Sequence, residues 1–221
     1  MRALLFDLDG TLVDTVYAHV CGWQKALGEA GVAVDGYLIH RHIGMSGTLM
    51  AKTLSRDAGH PRSDAKIARA EKRHSLLFRR MLPKPRALPG AAELLKHLRE
   101  RKVLHGIATS GKPSEIAEAL KAIGVTPGNT AVVDSEDVAK AKPEPDAFLV
   151  CAEKLKVDPQ DCYLVGDAAW DLLAAQRARM LSIGVLTGGS GAEELTTAGA
   201  YRVFRDPAEL DRSLESLGLM A

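Results

Sequence analysis

The sequence predicts an α/β fold, a doubly wound parallel sheet with an α-helical domain inserted after its first strand. Three observations carry this prediction. From residue 91 onward, short apolar runs alternate with segments of helical period, the pattern of strands and covering helices in a parallel sheet. One further apolar run, Arg2 to Phe6, stands apart at the N-terminus. Between the two lies a block, residues 15–86, that shows helical periodicity only.

The elements follow in order. Arg2 to Phe6 is ended by acids and Gly10, so it reads as a buried strand feeding a turn. From Thr15 the period changes. Val16, Val20, Trp23 and Leu27 recur at helical steps, and Gly28 and Gly31 are expected to stop that helix. The Gly-rich Ile43–Gly47 follows, then a helix through Met50 and Leu54. Ser63 can cap a further helix carrying Ile67, Ala70, His74, Leu77, Phe78 and Met81 on one face. Pro83, Pro85 and Pro89 mark a linker. Beyond it the spacing predicts strands at 103–108, 130–133, 162–166, 181–185 and 201–204. Helices are expected at 91–101, 114–123, 146–155, 171–179 and 207–217. The division is therefore a core of residues 1–14 and 87–221 and a helical insertion of residues 15–86.

Composition narrows the class. With 221 residues the chain can bury a full core, and its 46% hydrophobic and 26% charged content is ordinary for a globular protein. A formal net charge of +1 and 5% aromatic residues give no sign of a nucleic-acid or acidic-membrane partner. Cys21, Cys151 and Cys162 are odd in number and show no CxxC or zinc spacing, so reduced thiols in a cytoplasmic protein are expected. Asp7 interrupts the N-terminal apolar stretch, which is too short for a signal peptide. No apolar run approaches the ~20 residues that span a bilayer.

Ligands of parallel sheets bind at the carboxyl ends of the strands. Asp7-Leu8-Asp9-Gly10-Thr11 follows the first strand and Thr109-Ser110-Gly111 the second. Lys140-Ala141-Lys142-Pro143 precedes a helix, and Asp167 and Asp171 follow the fourth strand. Acids, a hydroxyl and a lysine thus converge on one edge. Taken singly, each has a plain structural use. Asp7 or Asp14 suits a turn, the lysines suit solvent, and Asp167 with Asp171 suits the start of a helix.

Together, FDLDGTLVD, ATSG, KPEPDAF and VGDAAWDLLAA resemble, in order, the four motifs of the haloacid dehalogenase superfamily, over essentially the whole chain. The nearest likeness within it is to the phosphoglycolate phosphatase and β-phosphoglucomutase subgroup, whose helical insertion is a mobile cap. That resemblance implies an aspartyl-phosphate formed on Asp7, with Asp9 as the acid and base. It implies Mg²⁺ held by Asp7, Asp167 and the backbone carbonyl of Asp9, with Asp171 behind the metal shell. Lys142, with Lys140 as the alternative, would neutralise charge, and Thr109, Ser110 and Gly111 would hold the phosphoryl group. Asp9 separates the sequence from the dehalogenases proper, which lack an acid there.

The same resemblance bears on the insertion. Ile43–Gly47 is either the substrate-facing loop of the cap or a plain joint between helices. His19, five residues after Asp14 and followed by Trp23, matches a histidine that contacts substrate in the mutases, in a pattern that many sugar and small-metabolite phosphatases share. The mutases carry an arginine where Gly47 stands, with Arg41 as a possible substitute; His40 and His42 beside it are expected in a solvated loop. The family has glycine where Arg179 stands, and a left-handed helix end would cost an arginine about 1 kcal/mol. The implied activity is hydrolysis of a small phosphorylated metabolite, by a monomer or homodimer. A β-phosphoglucomutase-like mutase is the alternative; a dehalogenase or a catalytically silent binding protein stands further off.

Overall fold

The structure, a computed structural model, describes residues 2–219. Strand β1 (Ala3–Phe6) leads into four helices, α1 (Val16–Glu29), α2 (Gly36–His40), α3 (Gly47–Asp57) and α4 (Asp64–Met81). The alternating region follows as α5 (Ala91–Glu100), β2 (Leu104–Ala108), α6 (Pro113–Ala122), β3 (Ala131–Val133) and α7 (Asp146–Leu155). It closes with β4 (Cys162–Gly166), α8 (Ala169–Ala178), β5 (Leu181–Val185), α9 (Ala192–Thr197), β6 (Arg202–Phe204) and α10 (Pro207–Arg212).

All six strands pair in parallel in the order β3-β2-β1-β4-β5-β6. The order reverses beside β1, so a crevice opens between the ends of β1 and β4, where ligands of such sheets bind. β1 is buried on both faces, which is why its sequence is a continuous apolar run rather than an alternating one. Leu4 and Phe6 face α5, α6 and α10 with Leu94, Leu98, Ile116 and Leu210. Ala3 and Leu5 face α7 and α8 with Phe148, Cys151, Ala174 and Ala175.

The helical block has its own apolar core. Val16, Val20, Trp23 and Leu27 of α1 pack with Met50 and Leu54 of α3 and Ile67 and Ala70 of α4. The chain leaves and re-enters the sheet side by side. Asp14 N–H donates to Arg86 O (2.9 Å), Leu88 N–H donates to Leu12 O (2.9 Å), and Val13 bridges Ala87. These two paired segments are the joint between block and sheet.

Several local expectations are corrected. α1 runs through Gly28, and the turn falls at Gly31, which takes a φ of +76°. α2 and α9 are too short to show a period, so neither was expected; His40 lies in α2 rather than in a solvated loop. The last helix stops at Arg212, and a separate turn of 3₁₀ helix covers Glu215–Leu217. Ser63 stands at the start of α4 but its side chain makes no cap bond, whereas Ser46 Oγ accepts the Leu49 N–H (3.2 Å) and caps α3. All three cysteines are free. Among the described residues, no helix is long and apolar enough to cross a membrane.

Candidate active site

The sheet register sets the site. Phe6 of β1 lies level with Val165 of β4, and Asp7 N–H donates to Val165 O (2.9 Å). Asp7 and Asp167 therefore emerge side by side at the switch point. Thr109 leaves β2 on the other flank of β1, with its N–H donated to Val133 O (3.0 Å). Lys142 comes from the segment before α7 and is followed by a cis peptide bond to Pro143. Asp171, in the first turn of α8, points back beneath the sheet edge, where its carboxyl fills the space a side chain at Gly166 would need.

Asp7, Asp167 and Asp171 are all buried, and one oxygen of each lies within 4.8 Å of the others. The Lys142 ammonium, itself 1% exposed, joins Asp7 Oδ1 and Asp171 Oδ1, the latter at 2.8 Å. Asp171 Oδ2 accepts the Ala168 N–H (3.2 Å), and Asp167 Oδ1 accepts the Thr11 hydroxyl (2.8 Å). Gly10 and Gly188 press on Asp167 so closely that a Cβ at either would collide with its carboxyl.

Three buried carboxylates thus lie beside one buried ammonium, which pairs with two of them. Burial pushes Asp7 up to about 7; Lys142 opposes this, and Asp171 and Asp9 add to it. Burial, then Asp171 and Asp7, push Asp167 well above the ordinary carboxylate range. Burial alone would lower the Lys142 ammonium, but Asp171 and Asp7 outweigh it and keep it protonated. The deficit of positive charge and the hard oxygen donors suit a small divalent cation.

Asp9 lies apart from this group. Burial would raise its pKa, yet His19 and Thr15 hold it below its usual value. Thr15 Oγ1 donates to Asp9 Oδ1 (2.7 Å), His19 Nε2 is 3.4 Å from the same oxygen, and Thr109 Oγ1 donates to Oδ2 (3.4 Å). Behind His19, its Nδ1 is 3.0 Å from His74 Nε2, and the His74 ring stacks on Trp23 with centroids 4.2 Å apart. Burial first, then His19, keeps His74 neutral.

A cavity over these groups is floored by Asp7, Asp9 and Asp167 and roofed by helices of the inserted block. Ile43, Gly44, Met45 and Gly47 line it, so that loop faces the cavity. Ser110 and Gly111 also line it, while Thr109 sits beneath, its Oγ1 accepting the Gly111 N–H (3.0 Å). Lys142 is inside the cluster, whereas Lys140 is exposed. Arg41 points away from the cavity and pairs with Glu194 (3.2 Å); it does not stand in for the missing arginine. His40 reaches Gly188 O (2.8 Å) and His42 reaches Leu38 O (2.8 Å), both outside the cavity. Sequence reasoning missed His74, Glu71, Ser75, Lys112 and Glu115, which also line it. His74 carried a signal, as a polar residue within the apolar stripe of α4; Lys112 carried another, directly after Ser110-Gly111.

A family model for haloacid dehalogenase-like hydrolases matches residues 1–179. The crystal structure of a hydrolase from Pseudomonas syringae is similar, with 39% identity and a TM-score of 0.93 over 98% of this chain and 99% of that one. Hexitol phosphatase A of Escherichia coli is 34% identical over 80% of this chain and 79% of its own length. The β-phosphoglucomutase of Bacillus subtilis is 29% identical over 97% of this chain and 93% of its own. The chain belongs to the haloacid dehalogenase-like hydrolases.

Proposed function

We propose that the protein is a Mg²⁺-dependent phosphatase that hydrolyses the phosphomonoester of a small metabolite through an aspartyl-phosphate on Asp7. Residues 1–14 and 87–221 form the catalytic core in this reading, and residues 15–86 the cap. The observation that carries it is the buried cluster of Asp7, Asp167, Asp171 and Lys142 beside a separately held Asp9. The likeness to a hexitol phosphatase supports the substrate class.

Asp7 and Asp167, with the Asp9 carbonyl, would hold the Mg²⁺. The ion supplies the positive charge that lets a phosphate dianion approach a carboxylate. Lys142 orients Asp7 and favours its ionised form against the burial that raises its pKa, and Asp171 fixes Lys142 from behind. The Asp7 carboxylate attacks phosphorus, and the leaving oxygen takes a proton from Asp9. Water then attacks the aspartyl-phosphate and returns a proton to Asp9, releasing phosphate and restoring Asp7. In the free protein Asp9 is held ionised, the form that accepts a proton from water in the second step. A phosphate dianion beside it raises its proton affinity, which equips it for the first.

Similarity to a β-phosphoglucomutase supports a second reading, transfer of the phosphoryl group back to a sugar. One assay separates the two. Phosphate release from phosphorylated metabolites is expected with Mg²⁺, lost with EDTA, and lost in Asp7→Asn. Isomerisation primed by a sugar bisphosphate, without net phosphate release, would establish the mutase instead. Neither activity in any condition would overturn both.

A further inference from the structure

We infer that the alcohol end of the substrate is uncharged and rich in hydroxyl groups, a polyol or sugar-like chain, and that a second phosphate or a carboxylate on it is rejected. This rests on the phosphatase reading of the same cavity and narrows it. The wall away from the catalytic carboxylates is built by α4 of the inserted block and the first turn of α6. Its charged side chains are Glu71, Glu115 and Lys112. Lys112 is already committed, with Nζ 2.7 Å from Glu71 Oε1. The other Glu71 oxygen accepts the Thr48 hydroxyl (2.8 Å), and Glu115 accepts the Ser75 hydroxyl. Two carboxylates against one paired ammonium leave that wall negative, above a floor that is itself acidic.

His19, which also lines the cavity, is taken up on both sides, by Asp9 (3.4 Å) and by His74 (3.0 Å). Gly47 stands where an arginine would reach inward, and even a Cβ at that position would come 2.7 Å from Trp23 Cζ2. Arg41 turns outward, its side chain 61% exposed and paired with Glu194. His74, neutral and stacked on Trp23, brings a ring nitrogen rather than a charge. An anionic tail would therefore lose its hydration beside like charges. A hydroxylated chain meets Glu71, Glu115 and Ser75, each able to exchange hydrogen bonds with it. An ammonium tail would have to compete with Lys112, which already pairs with Glu71.

The test measures phosphate release by the Mg²⁺-loaded protein from sorbitol phosphate, 2-phosphoglycolate, a hexose bisphosphate and phosphoethanolamine, with p-nitrophenyl phosphate as reference. The kcat/KM for sorbitol phosphate is expected to exceed each of the other three metabolites by roughly tenfold or more. Glu71→Gln frees Lys112 and makes it a cation available to the substrate. In that variant the preference for sorbitol phosphate over 2-phosphoglycolate is expected to narrow about fivefold or more, through a lower KM for 2-phosphoglycolate. Equal or better turnover of a charged-tail substrate by the wild type overturns the inference, as does a ratio unmoved in Glu71→Gln. Failure to hydrolyse p-nitrophenyl phosphate or any metabolite would instead overturn the phosphatase reading beneath it.

Discussion

Lys142 holds a full charge where water cannot reach it, and its two carboxylate partners are what make that tolerable. The dependence runs both ways, because Asp7 and Asp171 lose the buried cation they share if Lys142 goes. Lys142→Met keeps the length of the chain and removes the charge. Its stability is expected to fall by about 3 kcal/mol, the usual cost of stranding one side of a buried ion pair. Phosphate release should drop by roughly a hundredfold or more, since the developing charge on the transferring group loses a fixed donor. Lys140→Met, on an exposed side chain, should change stability by no more than about 0.5 kcal/mol. Urea unfolding and a phosphate assay on both variants check this, and normal turnover in Lys142→Met would remove it from the mechanism. At this scale the sequence was informative because Asp7, Asp167 and Thr109 each sit immediately after a strand, at a fixed offset from an apolar run. It was silent on Glu71, which reaches the cavity only because α4 folds over the sheet, a placement no local spacing encodes.

The strands and the longer helices follow from period and punctuation. β4, β5 and α7 begin and end where their apolar patterns do, because buried parallel strands and their covering helices have little freedom. α2 and α9, at five and six residues, complete less than two turns, so neither amphipathic period nor stop signal could reveal them. The end of α8 shows the reverse, a departure visible in the sequence that the structure gives a cost. Arg179 closes the helix at φ +58° and ψ 34°, the left-handed region that favours glycine. Its N–H donates to Gln176 O (3.0 Å), a bond that any residue keeps. Arg179→Gly should therefore stabilise the protein by about 0.5–1 kcal/mol, since relief of the strained φ outweighs the added freedom of the unfolded chain. Thermal and urea unfolding test the sign. A destabilised variant would mean that the arginine side chain contributes more than its backbone loses.

On the scale of the whole molecule, the inserted block meets the core at the paired hinge and at two rims of the cavity. One rim joins Lys112 to Glu71 and Ser75 to Glu115. The other joins Trp170 Nε1–H to Arg41 O (2.9 Å), His40 to Gly188 O (2.8 Å) and Arg41 to Glu194 (3.2 Å). The Arg41 ion pair is exposed, and such pairs contribute about 0–1 kcal/mol, with salt screening what remains. The indole bond is of another kind, because it fixes a backbone carbonyl of the block to the first turn of α8, beside Asp171. Trp170→Phe keeps an aromatic ring against Gly44 and deletes that one donor. If the block closes over substrate, the closed form loses about 1 kcal/mol, and KM should rise roughly fivefold with little change in kcat. Arg41→Ala keeps the carbonyl and should move KM by less than about twofold. Amide exchange across residues 36–57 should quicken in Trp170→Phe while the sheet stays protected, because the loss falls on closure and not on the core. Unchanged KM and exchange would place the hold on the block elsewhere, at the Lys112 rim or in the hinge itself.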